Sequence, residues 1–133
     1  MPRVLLVEDE EPLRRILARN LSRRGYRVTE AASAAEAITF LRAGEPFDAL
    51  LLDVNLPDQT GWDVLRALDG ANTDVPPVIV MTALRPVRRR LDEFHPAAVL
   101  LKPFPVDALV RLVGRVTGGP LTTPDTSAFY DGQ

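Results

Sequence analysis

The sequence contains no cysteine and one histidine among its 133 residues. Without thiols it can form no disulfide, no thiolate metal site and no cysteine nucleophile. The histidine, His95, stands alone before the expected fifth strand with no metal-ligand pattern around it, and reads as a solvated loop residue. Long hydrophobic runs are also missing. Only four apolar residues, Val4 to Val7, separate Arg3 from Glu8 at the N-terminus, too few for a signal peptide or a membrane span. Charge of one sign is scarce: the net value of −2 offers no electrostatic footprint for nucleic acid. These absences make a soluble, cytoplasmic protein with neither membrane nor nucleic-acid partner the expectation. What remains, 46% hydrophobic and 26% charged residues, is the composition of one globular domain with a substantial core.

Four short apolar runs each end on a residue that carries chemistry. Val4–Val7 ends on Glu8 and Asp9, and Ala49–Leu52 ends on Asp53. Val78–Met81 ends on Thr82, and Ala98–Leu101 ends on Lys102. Arg27–Ala31, with polar residues among the apolar ones, reads as a brief second strand. Unbroken apolar runs of this length suit strands covered on both faces of a parallel sheet.

Between them, apolar residues recur at helical spacing. Leu13, Ile16, Leu17 and Leu21 follow Pro12 and stop at Gly25, while acids just before Pro12 suit a helix N-terminus. Ser33 with Glu36 reads as a capping box for a second helix. Val64, Leu65 and Leu68 mark a third, Pro86–Phe94 a short fourth with Arg88, Arg89 and Arg90 facing solvent, and Val106–Val116 a fifth. Asp69–Pro77 reads as a loop. The polar stretch 118–133 opens with Gly118-Gly119-Pro120 and reads as a disordered tail after a domain spanning 1–117.

Five strands alternating with five helices imply a doubly wound α/β sandwich. The flavodoxin-like order 2-1-3-4-5 would set the first and third strands side by side, with a crevice beyond their carboxyl ends. Glu8, Asp9 and Asp53 would then share that crevice, with Thr82 and Lys102 on its far side. Three neighbouring carboxylates repel one another and call for a hard, oxygen-seeking cation of the magnesium type. A carboxylate is also a competent nucleophile toward phosphorus. A metal and the Lys102 ammonium would screen the phosphoryl charge, and the Thr82 hydroxyl would donate to its oxygens.

The segments Val4-Leu5-Leu6-Val7-Glu8-Asp9-Glu10, Leu52-Asp53-Val54-Asn55-Leu56-Pro57-Asp58 with Gly61, Val80-Met81-Thr82-Ala83 and Leu101-Lys102-Pro103-Phe104 carry a family resemblance. In this order and spacing, the chain resembles the receiver domain of two-component response regulators. The resemblance implies that Asp53 accepts a phosphoryl group from a phosphohistidine on a sensor histidine kinase or histidine phosphotransfer protein. It implies Mg²⁺ held by Glu8, Asp9, Asp53 and the backbone carbonyl of Asn55. Thr82, the Ala83 backbone and Lys102 would contact the phosphoryl group, and the Lys102–Pro103 peptide would be cis. Output would pass to a downstream protein through the fourth helix, fifth strand and fifth helix.

Two departures from the pattern bear on output. The family carries an aromatic ring three positions before its phosphate lysine, and here that position is Val99. The segment from Thr82 to Lys102 is also slightly short and contains Pro96, so the fourth helix is expected to be short or displaced. A basic cluster, Arg85, Arg88, Arg89 and Arg90, lies in that segment and reads as a solvated face. Nothing after Gly119 can form a helix-turn-helix, so the sequence as given reads as a stand-alone receiver. Two alternatives stay open. One is a receiver-fold binding module that switches atypically or without phosphorylation. The other is an aspartyl-nucleophile phosphohydrolase, which would need a general acid where Asn55 stands.

Overall fold

The computed structural model describes residues 1–69 and 75–118. Strands β1 (Arg3–Val7), β2 (Arg27–Ala31), β3 (Ala49–Asp53), β4 (Val78–Thr82) and β5 (Ala98–Leu101) alternate with helices α1 (Glu11–Arg23), α2 (Ala34–Arg42), α3 (Gly61–Leu68), α4 (Arg88–Phe94) and α5 (Val106–Thr117). All strand pairs are parallel and the order is β2-β1-β3-β4-β5, as the alternation of runs predicts. The unbroken apolar runs are the central strands: every residue of β3 and β4 is buried.

Side chains alternate across the sheet and build two apolar layers. Val4, Leu6, Leu51, Ile79, Met81 and Leu100 pack with Leu17 and Leu21 of α1 and Leu109 and Val113 of α5. Leu5, Val7, Leu50, Leu52, Val80 and Val99 pack with α2 and α3, and with Leu91 and Phe94 of α4. Burying these faces supplies the main driving force, roughly 1.5–3 kcal/mol for each fully buried leucine or valine side chain.

Helix ends follow the chemistry of their flanking residues, with corrections to the sequence reading. α2 is capped by Ser33, whose hydroxyl accepts from the Glu36 amide at 3.2 Å. The expected box there is incomplete, because the Glu36 carboxylate reaches one residue further back and accepts from the Ala32 amide at 3.0 Å. The complete box is at α3. The Thr60 hydroxyl accepts from the Asp63 amide and the Asp63 carboxylate accepts from the Thr60 amide.

α4 begins at Arg88, two residues after Pro86, and it has no side-chain cap. Arg88 and Arg89 are exposed as expected. Arg90 is half-buried and pairs with Glu93 at 3.4 Å. His95 is exposed and terminates α4 in the left-handed conformation, with φ of 48°. Gly118 terminates α5. The tail beyond it, and residues 70–74 of the loop before β4, lie outside the described residues.

Candidate phosphoryl-acceptor site

The parallel register brings the site together. Val7 of β1 pairs with Leu52 of β3, so the next residues, Glu8 and Asp53, come level. Strand periodicity then sorts the side chains. Positions 4, 6 and 8, positions 49, 51 and 53, and positions 98, 100 and 102 share the sheet face covered by α1 and α5. Thr82 and Val99 belong to the opposite face, with Val78 and Val80.

Glu8 is fully buried and Asp53 is 2% exposed. The Lys102 ammonium bridges them, donating to Glu8 Oε1 at 2.7 Å and to Asp53 Oδ2 at 3.1 Å. Asp53 Oδ1 accepts from the Asn55 amide at 3.2 Å. The Glu8 Oε2 accepts from the Glu10 amide at 3.1 Å, and its carbonyl accepts from Arg14 at 3.0 Å. Asp9 is exposed at the rim. Carboxylate oxygens of Glu8, Asp9 and Asp53 lie within 4.8 Å of one another. The sequence reading of these residues as one cluster therefore matches the geometry.

Burial pushes the Glu8 carboxyl up to about 7, reinforced by the Asp53 charge and only partly offset by Lys102. Burial also works against the Lys102 charge, but its hydrogen bond to Glu8 and the charge of Asp53 outweigh that and raise its pKa. Three carboxylates facing one ammonium leave an excess of negative charge. All donors are hard oxygens and one edge of the cluster is open to solvent through Asp9. This donor set fits a divalent oxygen-seeking ion that retains waters, and not a soft metal.

Thr82 ends β4 at 7% exposure, yet its hydroxyl is turned into its own loop. It donates to the Leu84 carbonyl at 3.0 Å and accepts from the Leu84 amide at 3.1 Å. Ala83 is exposed beside it. Val99 pairs with Val80 and is 7% exposed, a packed aliphatic position with no ring to reorient. The Lys102–Pro103 peptide is cis, in agreement with the resemblance.

Two residues of the motif, Gly61 and Asp58, were given no role by the sequence. Gly61 stands where the loop after β3 folds back, and its amide donates to the Val54 carbonyl at 2.8 Å. A Cβ there would lie 2.5 Å from the Asp53 carbonyl oxygen, so only glycine allows the close approach. Asp58, at the tip of the same loop, accepts from the Ala34 and Ala35 amides at 2.9 and 3.0 Å. Its carboxyl is thereby held below the usual range. That contact joins residues 24 apart, which local pattern cannot reveal.

The response regulator receiver domain model matches residues 4–114. The response regulator MprA of Mycobacterium tuberculosis is 37% identical over 110 residues, covering 81% of this chain and 47% of that regulator. The DNA-binding transcriptional regulator NtrC of a Bradyrhizobium species is 31% identical over 137 residues, covering 96% of this chain and 27% of the regulator. The chain thus spans about half or less of the length of these relatives. Among solved structures, the non-phosphorylated HemR receiver domain of Leptospira biflexa superposes with a TM-score of 0.78 at 34% identity, covering 94% of this chain and 99% of that one. The response regulator TrrA of Thermotoga maritima, in complex with Mg²⁺ and BeF, gives 0.74 at 28% identity, covering 87% and 99%. The chain is homologous to response regulators of two-component systems and belongs to the response regulator receiver domain family, in which accepting a phosphoryl group is the typical function.

Proposed function

We propose that Asp53 accepts a phosphoryl group from a phosphohistidine on a sensor histidine kinase or a histidine phosphotransfer protein. The observation that carries this reading is the buried Glu8–Lys102–Asp53 arrangement with Asp9 at its open rim. An Asp53 oxygen attacks phosphorus while the P–N bond breaks, and the bond's electron pair returns to the donor's imidazole. Mg²⁺, held by Glu8, Asp9, Asp53 and the Asn55 carbonyl, would supply neutralising charge at the phosphoryl oxygens. Lys102, already 3.1 Å from Asp53, would exchange its acidic partners for those oxygens. The Thr82 hydroxyl and the Ala83 amide would contact them from the β4 end.

Receivers are generally signalling modules rather than enzymes, and they work with sensor kinases and downstream effectors. The hydrolase alternative gains no support from the site. Asn55 occupies the general-acid position, and its carboxamide has no proton to give at neutral pH. In this reading residues 1–117 form the receiver unit and the chain acts in the cytoplasm. Among the described residues, no helix is long and apolar enough to cross a membrane. Output would pass to a downstream protein over α4, β5 and α5.

One specific observation favours a second reading of that output. Val99 is packed and aliphatic, so the state of Thr82 would be passed on without an aromatic swing.

Incubation with Mg²⁺ and acetyl phosphate, or with a phosphorylated histidine donor, tests the acceptor. Intact-mass analysis should show a gain of one phosphoryl group on the wild type and none on Asp53→Asn. An unmodified wild type with both donors would overturn the proposal.

A further inference from the structure

The loop from Val54 to Thr60 carries Asn55; Leu56 seats it in the core, and polar contacts fasten it at three further places. Its base is closed by the Gly61 amide on the Val54 carbonyl at 2.8 Å and by an antiparallel bridge between Asn55 and Thr60. Its far end is anchored to a different element through Asp58. Asp58 Oδ1 accepts from the Ala34 amide and Oδ2 from the Ala35 amide, so both oxygens of one carboxylate are used on the first turn of α2. The remaining amides of that turn are served from within the helix region, Glu36 by the Ser33 hydroxyl and Ala37 by the Ser33 carbonyl. An anion at a helix N-terminus gains from both the exposed N–H groups and the helix dipole. α2 is itself a firm post, because Ala34, Ala37 and Leu41 are buried against the sheet.

We propose that Asp58 is a positioning residue for the metal site: by tying the loop's tip to α2, it holds Asn55 in place beside Asp53. This inference rests on the reading that the Asn55 carbonyl helps to hold Mg²⁺. Asp58 is three residues from Asn55, on the opposite arm of the loop closed by the Asn55–Thr60 bridge. Releasing the tip leaves the loop secured at its base and by Leu56, which is buried in the core, and the Asn55 backbone gains freedom that metal binding must then remove. The metal-free fold is expected to tolerate this, since neither Asp58 nor its loop tip is part of the core.

Mg²⁺ titration of the full chain by calorimetry, with thermal melts of the metal-free proteins, separates positioning from simple capping. Asp58→Ala should raise the Mg²⁺ Kd about three- to tenfold, short of the largest effects of residues that directly support ligands. Asp58→Asn keeps one acceptor oxygen and should fall between the two. Glu36→Ala removes the bond to the Ala32 amide at the same end of α2 and leaves the loop untouched. It should lower the melting temperature while leaving the Kd unchanged. An Asp58→Ala protein that melts earlier but binds Mg²⁺ like the wild type overturns the inference, as does equal weakening by Glu36→Ala. No wild-type Mg²⁺ response, or equal binding by Asp53→Asn, overturns the metal reading and this inference with it.

Discussion

Glu8 shows how far one residue's chemistry departs from its sequence label. A glutamate after a strand is ordinarily ionised at neutral pH, but this one is fully buried and its carboxyl titrates at about 7. A carboxyl raised in the folded state binds more protons than in the unfolded chain. Its contribution to stability is therefore present below pH 4.5 and is lost as pH rises from there through about 7. The metal-free wild type should lose melting temperature over that interval relative to Glu8→Gln, whose side chain does not titrate. Parallel slopes for the two proteins would show that Glu8 is not the group responsible. The acids themselves were legible from their places at the ends of apolar runs. The pairing of Lys102 with both buried acids was not, since it depends on side-chain reach across residues 94 and 49 apart. The contact of Asp58 with α2 was hidden for the same reason.

Among the elements, α4 is the least self-sufficient. It has seven residues, no side-chain cap and no fully buried residue, well short of what an isolated helix needs. It is held instead by α3. The Trp62 and Phe94 rings stack with centroids 5.5 Å apart, and Arg66 lies over Phe94 while pairing with Glu93 at 3.3 Å. The exposed ion pairs add little to this, so the stack and the packing of Leu91 into the same layer are the main fastenings. Phe94→Ala should cost roughly 1–3 kcal/mol, below the full-burial value because Phe94 is only half-buried. Amide exchange should quicken in residues 88–94 far more than in α5. Uniform quickening across both helices would show that the stack is not what holds α4. The existence of this helix was readable, but its start and its fastening were not. Val87, which has no cap to offer, follows Pro86, and the aromatic partners sit on separate elements.

Across the whole molecule, four of the five strands followed from apolar runs to within one residue, and their order from the doubly wound pattern. Parallel strands buried on both faces leave few other places for such residues. The state of the Thr82 hydroxyl, by contrast, depends on a two-residue turn whose geometry no periodicity encodes. It also supplies a global test of switching. With Mg²⁺ and beryllofluoride in place of a phosphoryl group, the hydroxyl should leave Leu84. The Leu84 amide would then lose its acceptor and exchange faster. Leu84 is 79% exposed, so the change would occur on a surface a partner can reach. Unchanged exchange at Leu84 and through residues 83–100 would instead support a receiver that binds phosphate without moving this face.

The alternation of side chains through the sheet has a consequence for genetics. Glu8, Asp53 and Lys102 bond to one another, whereas the Thr82 hydroxyl turns to Leu84 and Val99 packs in the layer shared with α3 and α4. Lesions at Glu8, Asp53, Lys102 or the Asp58 tether should alter whether the message is written, and lesions at Thr82, Val99 or the outer faces of α4, β5 and α5 whether it is heard. Two classes of allele are expected from the one small domain: proteins that are silent because they stay blank, and proteins that are silent although fully inscribed.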